Sequence, residues 1–405
     1  MSLYFASLGS HQDCLRPQYE TTSTCVPVTH PIDQMPSGDT LGSGPVRLLV
    51  LAGGPSAEHA VSMMSARNVL QAVSQSTKLR PSLRVITKEG NWLSETQSMK
   101  ALAAGEAIYK GTPTPSTPLS EECDVVFSLL DGWEGGAGAI QGLLEMQRIP
   151  YLGGGITATV LTRDKIFAKQ VLAAHGIPTV RYVAFTREDY VENMDRIVED
   201  VSKLNLPLFV KPANLGSALG VSMVNDLSEL EDALQGAMSL DRRVLVEEGI
   251  RHPRELEVAI MGNHTLYASP VGEIEVHGAW NDHDTKYKTM PSYIIPANIP
   301  TDVSKRLTAL ALQIYRLLDC SGYGRIDFFM DPQTEEIYFN EASCSPGFTA
   351  MSVYPQLMAG AGYPAGEMIE MLVKFALERH PKRDSMSEFS EQEDAREDGE
   401  EVDCT

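Results

Sequence analysis

A chain of 405 residues with 43% hydrophobic residues is too long for one simple core, and its formal charge of −21 argues against nucleic-acid binding, which wants a basic face. No apolar run is long enough to span a bilayer, and the polar, Pro- and Thr-rich N-terminus lacks the apolar core of a secretory signal. The six cysteines (Cys14, Cys25, Cys123, Cys320, Cys344 and Cys404) form no CxxC pair and no His spacing suited to zinc, so reduced thiols in a cytoplasmic protein are expected.

Residues 1–45 read as a poorly ordered extension. Order begins with Val46–Leu51, a short buried strand broken by Gly53-Gly54-Pro55. Ser56 is the expected N-cap of a helix whose apolar positions Val61, Met64, Ala66, Val69, Leu70 and Val73 keep the helical period. Leu83–Ile86 is a second strand, and Lys88 to Pro118 carries no clear signal. Asp124–Leu130 is a third strand ending in the Gly-rich Asp131–Gly136, with a helix after it through Ile140, Leu143 and Leu144. Strands alternating with helices imply a parallel α/β domain over 46–155, which binds ligands beyond the carboxyl ends of its strands, where both Gly-rich loops would lie.

Near residue 155 the pattern changes. Asp164–Gly176 is a helix ended by glycine with Pro178 just past it, Leu208–Pro212 is a strand, and Asn214–Val221 is a flexible connection into another strand. Glu229–Met238 is helical, Val244–Ile250 is a strand, and Glu255 begins the next. This order gives a second unit over 156–250 and a third over 251–380. The Ser/Glu/Asp-rich segment 381–405 cannot bury enough apolar surface to order itself and reads as an acidic, disordered tail. No internal repeat is present.

Four constellations carry chemistry. Lys211 ends a strand before Gly216-Ser217-Ala218-Leu219-Gly220, where glycine amides and a hydroxyl can approach an anion and the lysine can charge-pair a phosphate. Val246-Glu247-Glu248-Gly249-Ile250, with Glu255 downstream, offers backbone groups for an adenine edge and carboxylates for ribose hydroxyls. The segments Gly324–Met330 and Glu336–Glu341 form a hairpin through Asp331-Pro332-Gln333-Thr334, whose register sets Asp327 beside Glu341 with Arg325 on the same face. Two carboxylates suit Mg²⁺ carrying a nucleotide's phosphates, and the arginine would face negative charge developing in reaction. Ser345-Pro346-Gly347 precedes a helix expected over Phe348–Met358, an anion site for a substrate carboxylate with Ser352 one turn further in. Read singly, these also fit an ordinary hairpin with a surface lysine, a solvated acidic loop and a surface ion pair.

As an ordered series the motifs resemble the D-alanine–D-alanine ligase family of ATP-grasp enzymes, over about residues 46 to 380. The series runs Ala57-Glu58-His59-Ala60-Val61-Ser62, Ile140–Glu145 with Ile149–Gly155, Asp164-Lys165, and Val210–Asn214. It continues with Lys286-Tyr287, Gly324–Asp327, and Asn340-Glu341 through Phe348. The resemblance implies a pre-ATP-grasp parallel α/β domain followed by a two-lobed ATP-grasp domain of α+β type. It implies ATP and one or two Mg²⁺ as cofactors, small amino acids as substrates, and a homodimer.

By resemblance, Lys165 and Lys211 contact the ATP phosphates, and Glu247, Glu248, Ile250 and Glu255 hold adenine and ribose. Asp327, Glu341 and Ser343 hold Mg²⁺, and Glu58 receives the first amino acid's ammonium. Lys286 and Tyr287 lie on a loop that closes over the site, where Ser217 bonds the tyrosine. Arg325 with the Gly347 N–H stabilises a tetrahedral oxyanion, and Arg325 with Ser352 seats the second carboxylate. The expected activity is ATP-dependent joining of two amino acids through an acyl phosphate. Three departures qualify it. Asp131 replaces the histidine of the first-substrate loop, Gly136-Ala137 replaces a Glu-Asp pair, and Ser343 replaces an asparagine beside the unusual Cys344. The two loop departures point to an altered first amino acid, and Ser343 to one Mg²⁺ held through water; synthesis of D-alanyl-D-alanine itself and, on Ser343 and Ala137, a nucleotide-binding protein without catalysis are the competing readings.

Overall fold

Val46–Gly53 forms β1, the middle strand of a three-stranded parallel sheet ordered β2-β1-β3, with β2 at Leu79–Ile86 and β3 at Val125–Ser128. The computed structural model describes residues 44–106, 109–115, 117–132, 137–275 and 292–380; the tail, almost all of the extension, and Lys286-Tyr287 fall outside these. Leu48 through Ala52 are fully buried, which is why this strand reads as an unbroken apolar run rather than an alternation. β2 starts four residues before the expected Leu83 because Pro81 is accommodated within it; β2 is an edge strand, where proline is tolerated.

Two helical expectations in this domain need correcting. Ser56 is not an N-cap: the first helix runs His59–Ala72 with Glu58 at the cap position, and the Ser56 hydroxyl instead accepts from the Glu58 N–H at 3.2 Å in the preceding turn. The unassigned stretch after Lys88 contains the helix Glu95–Ala104, started by a capping box in which Ser94 and Gln97 satisfy each other's backbone N–H groups.

The next sheet is antiparallel, ordered β4-β7-β5-β6, from Tyr182–Thr186, Arg243–Glu248, Leu208–Pro212 and Ser222–Val224. Helices Arg187–Ser202 and Leu230–Leu240 cover it. The third sheet has six strands in the order β11-β10-β8-β12-β13, with β9 paired to β8. They are β8 Arg254–Gly262, β9 Leu266–Ala268, β10 Gly272–Glu275, β11 Ser292–Ile294, β12 Gly322–Met330 and β13 Ile337–Ser343.

Two helices, Ile156–Arg163 and Lys165–Ala174, lie between the first two sheets in sequence yet pack on the third, with Ala158, Ala168 and Leu172 in its core. Asp164 separates them in an extended conformation and caps the second, accepting from Ile166 and Phe167 N–H at 3.0 and 2.9 Å. The first of the pair is rich in β-branched residues, which hides it from propensity; its Thr159 and Thr162 hydroxyls bond back to the Gly155 and Ala158 carbonyls. Finally, the helix expected from Phe348 begins only at Val353 and ends at Gly360. Phe348 is held out of it by an aromatic cluster, edge-on to Phe127 and Tyr323. The terminal helix Ala365–Arg379 then packs back against the helix His59–Ala72.

Candidate active site

The β12–β13 hairpin has the register read from sequence. Asp327 stands opposite Glu341, and Arg325 opposite Ser343, with an irregularity after Asp327. The connecting turn is fixed by Asp331, whose carboxylate accepts from the Gln333 N–H at 2.7 Å. Arg325 grips Asp327 bidentately, Nε to Oδ1 at 2.6 Å and Nη2 to Oδ2 at 2.5 Å, and lies 3.8 Å from Glu341. A third carboxylate, Glu257 on β8, is directly opposite Asp327 on the other side and 3.6 Å from Arg325 Nε. Sequence reasoning missed it. The signal was Glu255 and Glu257 two apart in a strand, sharing a face, between the buried Leu256 and Val258. Burial works against the Arg325 charge, but Asp327 and Glu257 more than offset it and raise its pKa well above the ordinary value.

This cluster borders a cavity of about 650 Å³. Glu58, Asp131 and Lys165 line it from one side, Arg325, Glu341 and Ser343 from another, and Gly347 and Ser352 close it. The motif around Glu58 divides its labour. Glu58 reaches the cavity. His59 Nδ1 is 2.7 Å from the Gly54 carbonyl, and Ser62 accepts from the Gly53 N–H at 2.9 Å while donating to the Leu129 carbonyl at 2.7 Å. These two residues thus tie the glycine pair at the end of β1 to the helix His59–Ala72 and to the residue following β3.

A second cavity, about 590 Å³, lies against the first and shares Lys165, Leu215, Ile274 and Glu341 with it. Lys211, Glu248, Ile250 and Glu255 line it. Here the acidic strand end departs from expectation. Glu247 also lines this cavity, but its carboxylate is 2% exposed and lies 2.9 Å from Lys169 Nζ and 2.5 Å from Lys211 Nζ. Burial opposes its charge, yet Lys169 and Lys211 hold its carboxyl down at about 2. The Glu248 carboxylate is also engaged, by Arg181 at 2.8 Å and the Asn205 N–H at 2.9 Å. Backbone N–H groups of Glu248 and Gly249 go to the Arg181 and Pro207 carbonyls, so of the expected adenine-reading amides only that of Ile250 is without a backbone partner among the described residues.

The glycine hairpin lies where the two cavities meet. Ser217 and Ala218 both take positive φ, 53° and 56°, a conformation L-residues hold only when their surroundings enforce it. Gly220 takes a positive φ of 73°, the conformation that favours glycine. Lys165 Nζ donates to the Leu215 carbonyl at 2.6 Å. Burial, opposed by Glu341, lowers the Lys165 pKa to about 8. Arg163, not singled out in the sequence, bonds both Asp131 and the hairpin carbonyl of Asn214.

The Ser345–Ser352 segment is extended and turn-like, not the start of a helix, which corrects the anion-site geometry expected there. Pro346 lies seven residues before Val353, and Ser352 is itself the N-cap position of the short helix rather than a turn inside it. Its hydroxyl accepts from the Thr349 N–H at 3.0 Å. Gly347 needs its missing side chain, because a Cβ would stand 2.9 Å from Ser352 Oγ. Cys344 is a small buried residue with Sγ 3.4 Å from Thr162 Oγ1 and 3.5 Å from Thr159 Oγ1.

Comparisons with known proteins place the chain in a family. The family model described as D-ala D-ala ligase C-terminus matches residues 171–374, and that described as D-ala D-ala ligase N-terminus matches residues 47–154. The chain is 43% identical over 335 residues to a D-alanine–D-alanine ligase of Deinococcus radiodurans, covering 82% of this chain and 98% of the relative. It is 36% identical over 375 residues to one of Acetivibrio thermocellus, covering 85% and 99%. Among solved structures it is similar to the VanG D-Ala:D-Ser ligase of Enterococcus faecalis, with a TM-score of 0.72 at 31% identity, covering 82% and 99%. The D-alanine–D-alanine ligase of Coxiella burnetii also superimposes with a TM-score of 0.72, at 27% identity, covering 87% and 100%.

Proposed function

The chain belongs to the D-alanine–D-alanine ligase family of ATP-grasp enzymes, and from that premise we propose that it joins two small amino acids at the expense of ATP, through an acyl phosphate. The observation that supports this most is Arg325, which grips Asp327 and lies beside Glu341, with Arg325 and Glu341 lining a cavity that Gly216 and Ser217 of the hairpin also line. A carboxylate is a poor acylating agent because oxide is a bad leaving group. Phosphorylated, it yields to attack by the amine of a second amino acid, releasing a dipeptide and phosphate.

In this reading Lys165, Lys211 and the hairpin amides hold the nucleotide's phosphates, and Ile250 and Glu255 take adenine and ribose. Glu247 acts at one remove, by fixing Lys211. Asp327, Glu341 and the Ser343 hydroxyl are the oxygen donors that would hold Mg²⁺, with phosphate oxygens and water completing its shell; Arg325 bonds both Asp327 oxygens here and would yield one of them to the ion. When bound, Mg²⁺ would neutralise charge on the transferring phosphoryl group. Glu58 receives the first amino acid's ammonium. Arg325 and the Gly347 N–H face the tetrahedral oxyanion, and Arg325 with Ser352 seats the second carboxylate. Lys286 and Tyr287 are assigned to a closing loop, and Ser217 to bonding that tyrosine, from the sequence alone.

The solved VanG protein is a D-Ala:D-Ser ligase, and two of the chain's three departures fall in the first-substrate loop, so the product is either D-alanyl-D-alanine or a dipeptide with another residue. ADP release across a panel of D- and L-amino acids, with products weighed by mass spectrometry, decides between them. Nucleotide binding with no amino-acid-dependent turnover on that panel would overturn the ligase reading. We assign a homodimer on family grounds, to be checked by light scattering.

A further inference from the structure

Arg163 is a buried-side cation of the cavity to which the reading above gives no task. It ends the helix Ile156–Arg163, and its guanidinium is anchored at two points. Nε donates to the Asn214 carbonyl at 2.6 Å, and Nη1 donates to Asp131 Oδ1 at 2.9 Å. The same Asp131 oxygen also accepts from the Gly132 N–H at 2.6 Å, so this carboxylate is already committed to holding structure. The guanidinium lies against Gly216: a Cβ there would stand 3.1 Å from Nη1. Its side chain is 16% exposed and lines the larger cavity together with Lys165, Gly216 and Ser217. Among the described residues, no hydrogen bond takes up Nη2.

A guanidinium fixed in plane by two bonds loses little entropy on gaining a third partner, and its remaining N–H groups match phosphate oxygens. Its neighbours on the cavity wall are a glycine hairpin and a lysine, both anion-binding elements. We propose that Arg163, held by Asp131, is a further donor to the terminal phosphoryl group of the nucleotide, before and during its transfer. This rests on the hairpin being the phosphate loop. In the step concerned, the bond from the γ-phosphorus to the bridging oxygen breaks, with the electron pair leaving on ADP. A carboxylate oxygen of the first amino acid forms the new bond to phosphorus. Arg163 keeps all its protons and supplies charge and hydrogen bonds only. Asp131 then is a positioning residue acting through Arg163 rather than a ligand of the first amino acid.

The test is calorimetric titration of the full chain, with Mg²⁺ present, against ADP and against the non-hydrolysable AMP-PNP. In Arg163→Met the affinity for AMP-PNP falls roughly 10-fold or more, as loss of a charged hydrogen bond predicts, while that for ADP changes less than about 2-fold. Asp131→Asn gives a smaller loss in the same sense and adds nothing in the Arg163→Met background. Should the methionine variant not fold, Arg163→Lys, which keeps charge but cannot span both anchors, must still lose AMP-PNP affinity relative to ADP. Equal losses for the two nucleotides would make Arg163 a brace for the hairpin and overturn the proposal, as would unchanged AMP-PNP affinity. Failure of the unaltered chain to bind either nucleotide would instead sink the phosphate-loop reading beneath it.

Discussion

Substituting Glu247→Gln removes the carboxylate that lies between two ammonium groups, with Lys169 Nζ and Lys211 Nζ on its opposite oxygens. Its carboxyl lies at about 2 against an ordinary 4.5, with burial outweighed by the two lysines, which corresponds to about 3 kcal/mol of stability at neutral pH. Because the folded-state value is depressed, this contribution is present above pH 4.5 and is lost as pH falls toward 2. In the glutamine variant two buried like charges face a neutral amide, and breaking such a hub costs about 3–5 kcal/mol. Lys169→Met is gentler. It leaves Glu247 and Lys211 as a balanced pair and loses one buried ion-pair contact that lacks hydrogen-bond geometry, with the Tyr182 and Phe339 rings 5.8 and 5.9 Å from the old Nζ position to pack a thioether. The double variant frees Lys211, which is 10% exposed in its side chain, toward the cavity, and is less destabilised than Glu247→Gln alone. Urea unfolding at pH 7 without nucleotide measures all three. A Lys169→Met loss equal to or larger than that of Glu247→Gln, or strict additivity in the double variant, would refute the hub.

Arg325→Ala is expected to lower turnover at least ~10²-fold with little change in ATP affinity, as removal of an oxyanion donor does; steady-state kinetics showing unchanged turnover would reject its role. Lys165, depressed by burial to about 8, is charged below that pH and neutral above it. Nucleotide affinity should therefore fall roughly 10-fold between pH 7 and 9, and binding at pH 8 should take up about half a proton, seen as buffer-dependent heats in titration calorimetry. Stability moves the opposite way, because between about 8 and 10.5 the unfolded lysine holds the proton that the folded one has lost; Lys165→Arg should flatten both profiles. Gly347→Ala places a Cβ 2.9 Å from Ser352 Oγ and should raise KM for the second amino acid about 10-fold while leaving that for ATP unaltered, an energy of the order of one displaced hydrogen bond.

What was legible in the sequence follows local rules. The Asp327–Glu341 register is set by strand alternation and an Asp-Pro turn, both of which are short-range, and it reads off without tertiary knowledge. The strand Leu208–Pro212 and the central strand after Val46 likewise carry their burial in their own composition. Helix boundaries failed where a short polar residue had two local uses. Ser56 closes a turn instead of capping, and Ser352, at the N-cap position of a helix that starts later than expected, turns its hydroxyl back to the Thr349 N–H instead of capping. The helix Ile156–Arg163 was hidden because its stability comes from packing on a sheet formed by residues a hundred and more positions later.

Charge partners were the least legible, and the reason is physical. Glu247 sits in a strand whose neighbours in sequence are acidic or apolar, and nothing local reveals that Lys169, on a helix of another layer, comes within 2.9 Å. A carboxylate withdrawn from water must be paired, and here two lysines of other elements do the pairing. The same logic separates the two arginines of the larger cavity. Arg325 is surrounded by Asp327, Glu257 and Glu341, so its charge is more than matched by the protein. Arg163 meets one carboxylate and one carbonyl, and what remains of its donor capacity faces the hairpin. A cavity wall that balances one guanidinium and leaves the next under-matched directs an anion toward the second, which is why the phosphoryl group is assigned to Arg163 and the later-forming oxyanion to Arg325.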